Sequence, residues 1–454
     1  MKGKADPSLD ERIVDTSTTQ PSFVSSLLLT YGTNIAVAVL ALINVLIISR
    51  ALGPSGRGEY ALLTTIAYLT SQVGSFGVQL GIANEAVLVP AARPRLATNA
   101  LACALVLGIA AAAVVGLLIA LFPGVGGSTS PPLRWLVLAS VPVLIAGTYL
   151  GLFVQAQYRF GLVNAAWLLQ PVVNVTVNGT LALGGVLRVR WAVASWVAGQ
   201  CLTAALLIWS IALRLEGFGP PDLRLAWRTV VFGAKTLPGR ISVLGTYRLD
   251  QWLLGTIVGA RQLGLYSVAV AWSEALFFLP TTVVTVQRPD LVRGSPEEAG
   301  RRAAAVFRTA ALATALGAGG LVVAAPWLCV GLFGESFRGS IAMLRLLALG
   351  GVGIVALKQL GNALTAQRKP LRETTALGFT LALTVALDLA LIPGHGGMGA
   401  ALASTLSYAA GGVLTAVVFL ATLRVPAAEL VPRVDDVRSF WRALRSRART
   451  RRAH

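Results

Sequence analysis

The sequence predicts an all-α polytopic membrane protein of about twelve spans in two pseudo-symmetric six-helix bundles, and three observations predict it. Of 454 residues, 55% are hydrophobic and only 13% charged, with a mean hydropathy of +0.72, whereas soluble chains carry about 25% charged residues. The apolar residues fall in about a dozen runs long enough to cross a bilayer, roughly 20 residues each. Segments of the first half also recur in the second at a nearly constant offset. This composition excludes a soluble enzyme, a disordered chain and a disulfide scaffold.

Residues 1–22 are polar and lack the short apolar region and small-residue cleavage site of a signal peptide. Spans are read at 23–48, 60–82, 97–122, 133–154, 162–187, 191–213, 229–258, 264–287, 303–333, 339–366, 371–393 and 397–421. Lipid leaves backbone amides no water to bond, so spans are helices or closed barrels, and continuous apolar runs lack the alternation of a barrel. The organisation expected is a first bundle at 23–213, a Gly-, Pro- and charge-rich connector at 214–228 (RLEGFGPPDLRLAWR), a second bundle at 229–421 and a basic tail at 422–454.

The net charge is +19, from 38 Lys and Arg against 19 Asp and Glu. These charges are scattered through short loops and one tail, which suits anionic membrane lipids and not nucleic acid. With the N-terminus cytoplasmic, thirteen basic residues fall in the inner loops against seven in the outer loops, Arg50 and Arg57 among the seven. The excess on one side, with the tail added, orients both termini to the cytoplasm. Residues 437–452 either lie along the inner leaflet, with Phe440, Trp441 and Leu444 on one face, or form a solvated tail that only fixes topology.

The repeat is explicit. NVLIISRALGPSGRGEYALL from Asn44 matches DQWLLGTIVGARQLGLYSVA from Asp250 at an offset of 206, aligning Gly53 with Gly259, Gly58 with Gly264 and Tyr60 with Tyr266. Ala156-Gln157 matches Ala366-Gln367, and Ala194-Ser195 matches Ala403-Ser404, at offsets of 210 and 209. The glycines suit tight turns between spans, and the two tyrosines are expected at the membrane interface. Six spans per unit make the repeat parallel, with a pseudo-two-fold axis along the membrane normal and a substrate site between the halves.

Charges inside spans cost about 2.5–3.5 kcal/mol each at the bilayer centre, so they mark cavities or partners. The second half holds Lys235, Arg240, Arg248, Asp250, Glu274, Arg308, Arg345, Lys358 and Asp388 within its spans; the first half has almost none. The seventh span carries Pro238-Gly239, where a bend or break is expected. Lys235 and Arg240 flank that site, and Arg248 and Asp250 follow. Lys235, Arg240, Arg248 and Lys358, with Arg345 as a further candidate, are read as cations for a phosphate or pyrophosphate in a cavity. The rival readings are snorkelling to the interface, for Arg345 above all, and local neutralisation of Arg248 with Asp250. Asp250, Glu274 and Asp388 are read as ion-pair partners or as carboxylates coupling transport to Na⁺ or H⁺.

Cys103, Cys201 and Cys329 are isolated within apolar runs, and His395 and His454 have no ligating neighbours, so no metal or cofactor is expected. The sequence has no G-x-x-x-x-G-K-[ST] loop to bind a driving nucleotide. No enzymatic activity is expected.

Four segments carry a family resemblance. SRALGPSGRGEYALLTTIAYLTSQVGSFGVQLGI (49–82), YRLDQWLLGTIVGARQLGLYSVAVA (247–271), LFGESFRGS (332–340) and LIPGHGGMGAALAST (391–405) resemble, in order, segments of polysaccharide flippases in the multidrug/oligosaccharidyl-lipid/polysaccharide exporter superfamily. The resemblance implies two bundles in a V shape in the bacterial cytoplasmic membrane. It also implies alternating access that moves a polyprenyl-(pyro)phosphate-linked oligosaccharide to the outer leaflet, driven by Na⁺, H⁺ or the membrane potential. Asp250 matches an acidic position common in the family, whereas Asp388 stands where asparagine is more frequent. A polysaccharide polymerase and glycosyltransferases are the protein partners this implies. The alternatives are a lipid II flippase, a cation-coupled multidrug antiporter of the same superfamily, and a non-transporting scaffold or polymerase. The antiporter would favour carboxylates in a first-half cavity. A pyrophosphate-handling enzyme would want acidic loops longer than these.

Overall fold

The computed structural model describes residues 23–277, 291 and 295–431. The expected lipid-binding tail at 437–452, the N-terminal segment and the end of the eighth span lie outside the described residues. Helices α1 (Phe23–Gly74), α2 (Val78–Leu88), α3 (Arg93–Leu121), α4 (Pro131–Ala139), α5 (Val141–Ala156), α6 (Phe160–Leu183) and α7 (Val189–Arg214) make the first half. The second half comprises α8 (Leu223–Ile257), α9 (Ala260–Ser273), α10 (Pro296–Pro326), α11 (Ser340–Ala366) and α12 (Pro370–Leu423). Among the described residues there is no strand, and eight helical segments are long and apolar enough to cross a membrane. The chain is a multi-span α-helical membrane protein.

Two expected loops shrink to single glycines. The run of α1 is broken only at Gly53 (φ 65°) and that of α12 only at Gly396 (φ 56°). A positive φ reverses the local winding, and glycine reaches it without a Cβ clash. One residue therefore separates the first two spans, in place of the loop expected at 49–59. The seventh span has no break, because α8 stays helical through Pro238 from Leu223 to Ile257. Proline removes one backbone donor. The Ser242 hydroxyl donates to the Pro238 carbonyl at 2.9 Å, and the turn is kept.

The landmarks of the sequence repeat recur in the backbone. Gly53 and Gly259 (φ 110°) both have positive φ, as do Tyr158 (φ 60°) and Arg368 (φ 59°), which are 210 residues apart. Helices α5 and α11 end at the matched residues Ala156 and Ala366. The halves touch through α1 and α9, and the contact is reciprocal. A Cβ on Gly58 would strike the carbonyl of Ala260, and one on Gly264 would strike that of Pro54. Pro54 and Ala260 are themselves equivalent in the repeat, so the crossing is self-complementary, as at a two-fold interface. Small residues let membrane helices approach this closely.

Near this crossing the Trp252 indole donates to the Val125 carbonyl at 3.2 Å and Arg50 Nε to the Leu332 carbonyl at 2.5 Å. Leu62, Leu254, Leu263 and Val268 pack beneath it. Tyr60 and Tyr266, expected at the membrane interface, are instead buried in this region, 6% and 0% exposed. At the other end of the molecule α2 lies on α8, with the Gly77 and Gly81 backbones against Gly233 and Thr229. Arg228 Nη2 pairs with Glu85 Oε1 there at 2.8 Å. The connector is tied to α3: Gly219 N donates to the Pro94 carbonyl at 2.9 Å, and Asn99 and the Asp222 backbone exchange bonds of 2.8 and 3.0 Å.

Candidate functional site

Two adjoining cavities lie between the halves. The first, about 530 Å³, is walled by α1, α5, α6 and α7 on one side and by α8, α9 and Glu274 on the other. The second, about 550 Å³, lies nearer the connector end, between Gln72, the Thr236–Arg248 stretch of α8, Phe277, Lys358 and the start of α12. Tyr68, Arg248 and Glu274 line both, so the two cavities meet at the Arg248 guanidinium.

Three sequence-predicted cations converge on this chamber. Arg248 Nη1 pairs with Glu274 Oε1 at 2.7 Å, both side chains about a third exposed. Glu274 begins the 3-10 turn Glu274–Phe277, directly after α9, and the rest of the span read at 264–287 lies outside the described residues. The partner of Glu274 is Arg248. Asp250, two residues along α8, faces a different neighbourhood. Arg240 Nη2 donates to Gln72 Oε1 at 2.8 Å across the two halves. Lys358 Nζ sits 5.9 Å from the Tyr247 ring centroid and 5.5 Å from that of Phe277. Ring faces carry partial negative charge and attract a cation.

The fourth cation is one that residue order places in an outer loop. Arg57 is helical, 8% exposed, lines the first cavity and lies 5.6 Å from the Tyr60 ring centroid. Its Nε is buried without a hydrogen-bond partner among the described residues. The signal that could have found it is the glycine pattern itself: if Gly53 alone makes the break, Pro54 onward is helix and Arg57 lies one turn inside the span. Arg57, Arg240, Arg248 and Lys358 thus face the cavities against two carboxylates, Glu274 and Glu373.

Two predicted cations stay outside. Lys235 is exposed and lines neither cavity; α8 turns its neighbours Thr236, Leu237 and Gly239 inward in its place. Arg345 is exposed, and its Nε donates to the Val322 carbonyl at 3.1 Å, so it too is separate from the chamber. The helical period decides this, since residues about 100° apart on one helix face different media. Arg308, outside the chamber as well, bonds the Glu429 carbonyl at 2.6 Å and its carboxylate at 3.2 Å.

The acidic pair Asp250 and Asp388 is buried behind the chamber wall, 2% and 0% exposed, with Asp250 within electrostatic reach of Arg248. Asp250 accepts from its neighbour's backbone, Gln251 N, at 2.7 Å, from the Tyr266 hydroxyl and from Ser404 Oγ at 3.3 Å. Asp388 lies within electrostatic reach of Asp250. Neither of its oxygens has a hydrogen-bond donor among the described residues. Such an isolated buried carboxylate is costly as an anion unless a proton or cation joins it. Among the described residues no group of three His, Cys, Asp or Glu side chains gathers for a metal ion.

Known structures share this architecture. An inward-facing multidrug resistance MATE family transporter of the MOP superfamily superposes with a TM-score of 0.69 at 12% identity, covering 88% of this chain and 98% of that one. The lipid II flippase MurJ in an inward closed conformation gives 0.70 at 13% identity, with 89% of each chain covered. The MATE multidrug transporter DinF-BH gives 0.62 at 14% identity over 88% and 95%. At these identities the likeness is one of fold. No curated protein sequence matches the chain. Residues 47–342 match the family model of polysaccharide biosynthesis proteins, and with that match spanning most of a chain folded like the MOP transporters, the protein belongs to the polysaccharide biosynthesis protein family.

Proposed function

We propose that this protein is a flippase that carries a polyprenyl-(pyro)phosphate-linked oligosaccharide across the cytoplasmic membrane for surface polysaccharide synthesis. The observation that carries the reading is the set of four cations, Arg57, Arg240, Arg248 and Lys358, which both halves contribute to one chamber inside a membrane protein. Cations in a medium of low dielectric attract a multivalent anion strongly, and arginine offers a paired-donor fork that fits phosphate oxygens. A family named for polysaccharide biosynthesis supports a sugar-bearing substrate, and lipid phosphate is the sugar carrier whose charge the cations fit.

The basic loops orient both termini to the cytoplasm. The halves are then closed at their outer end by the Gly58–Gly264 crossing, and the Arg240–Lys358 cavity lies toward the cytoplasm. Substrate enters there, its diphosphate held by the cations. The two halves then rock about the chamber to expose it outward. Asp250 and Asp388 supply the coupling site: an incoming H⁺ or Na⁺ satisfies the unpartnered Asp388 carboxylate and changes how α8 packs against α12.

The test is export of labelled lipid-linked oligosaccharide by proteoliposomes at matched protein, with Arg57, Arg240, Arg248 and Lys358 each replaced by alanine. Losses of tenfold or more for at least Arg240 and Lys358 are expected, in line with roughly 1.5–3 kcal/mol for a charge-assisted bond. Unchanged export in all four rejects the reading. Lipid II as a second substrate separates this reading from a peptidoglycan-precursor flippase, and transport of a cationic dye separates it from a drug antiporter.

A further inference from the structure

The chamber has a second, chemically different wall. Helices α6 and α7 face the first cavity with Gln170, Asn174, Trp196 and Gln200, and no charged side chain stands among them. Gln170 and Gln200 continue into a third cavity of about 320 Å³, lined also by Asn34, Thr148, Trp167 and Thr203 and likewise free of charge. Gly199 makes the wall continuous. A Cβ there would lie 3.1 Å from Gln170 Cα, so α7 approaches α6 until the two glutamines share one surface.

Polar side chains in membrane helices usually bond neighbouring helices. Asn178 and Ser195 on these same helices do so, with bonds of 2.8 Å to Asn44 and 3.0 Å to each other. The carboxamides of Gln170 and Gln200 differ, because neither bonds to any described residue although both face a cavity. An amide offers two donors and an acceptor without charge, which suits vicinal hydroxyls that donate and accept at once. An indole adds an apolar face of the size of a sugar ring and one N–H donor. Cavities of roughly 300–1,000 Å³ with a few converging polar groups are typical of small-molecule sites.

We infer that the α6–α7 wall, with Gln170 and Gln200 as hydrogen-bonding groups and Trp196 and Trp167 as ring platforms, is a binding site for the uncharged sugar rings of the substrate. This rests on the flippase reading and deepens it. The diphosphate is held by cations mostly of the second half, and the glycan lies against the first. The first half thereby selects the sugar, and the second recognises what all such lipids share.

The test uses the full-length protein in nanodiscs and two probes: polyprenyl-diphosphate oligosaccharides extracted from the cells that make the protein, and synthetic polyprenyl diphosphate of the same chain length without a sugar. Wild-type protein is expected to bind the glycosylated probe roughly tenfold or more tighter than the bare diphosphate, the scale of two hydrogen bonds. The double variant Gln170→Leu/Gln200→Leu is expected to lose that preference while still binding the bare lipid. The amide-retaining double variant Gln170→Asn/Gln200→Asn is expected to keep an intermediate preference and serves if the leucine pair fails to fold. Bare lipid left unbound by wild-type protein overturns the flippase reading itself. Bare lipid bound without a glycan preference, or a preference that survives in both double variants, overturns the sugar wall alone.

Discussion

The two halves carry the same buried polar cluster with different chemistry. In the first, Asn44, Asn178 and Ser195 stand together: Asn178 Nδ2 donates to Asn44 Oδ1 at 2.8 Å, and Ser195 Oγ to Asn178 Oδ1 at 3.0 Å. In the second, the matched positions are Asp250, Asp388 and Ser404, 206, 210 and 209 residues on. An amide brings its own donors, so the first cluster closes on itself. A carboxylate brings none. Asp250 borrows donors from Tyr266 and Ser404, and Asp388 is left without one among the described residues. One scaffold thus yields a neutral, satisfied cluster that holds helices together and an acidic, incomplete one that needs a proton or cation. Duplication fixes where the polar groups are buried, and two amide-to-acid differences decide what they can do.

That contrast can be broken experimentally. The largest effect is expected where the halves are alike. Gly58→Val and Gly264→Val each force a side chain into the other half's backbone, and both are expected to cost about 3 kcal/mol or more, seen as little folded protein by size-exclusion chromatography. A well-folded variant of either would show that the crossing is not close. Next comes Asp388→Asn, which gives the second cluster the first's amide. Transport in proteoliposomes is expected to fall tenfold or more and to lose its response to a Na⁺ or pH gradient, with thermal stability kept or raised because a buried charge is removed. Retained gradient dependence would move coupling elsewhere.

Asn178→Ala tests the first cluster as glue. It removes the donor to Asn44 Oδ1 while Ser195 keeps the Ala192 carbonyl, so a loss of about 1–3 kcal/mol in thermal or denaturant stability is expected, with transport per folded molecule within about twofold of wild type. A transport defect at full stability would make the first cluster functional too. The smallest effects belong to the cations outside the chamber: Lys235→Ala and Arg345→Ala are expected to leave both stability and transport near wild type, since exposed charges contribute about 0–1 kcal/mol.

Much of this is legible in residue order. Apolar run lengths give the helices, because lipid allows no other backbone solution for such runs. The match of Asn44 with Asp250, and of Gly58 with Gly264, gives the repeat. Arg240, Arg248 and Lys358 read as cavity cations, and these face the chamber. The misreadings have two causes. Arg57 is misplaced because the break at Gly53 is shorter than the loop read at 49–59, and Lys235 and Arg345 are misplaced because position along a helix says nothing about azimuth until its neighbours are known.

The sequence by itself determined the medium, the helices and the kinship of the halves, since each of these follows from local composition or from comparing one stretch with another. The tertiary structure alone decided which charges meet. A break of one residue at Gly53 turned Arg57 from a loop residue into a cavity cation, and the packing of α9 and α12 against α8 gave Asp250 hydroxyl partners and left Asp388 none. Whether a buried polar group is satisfied depends on partners from other helices, here 16 and 154 residues along the chain from Asp250, and their positions are set by packing.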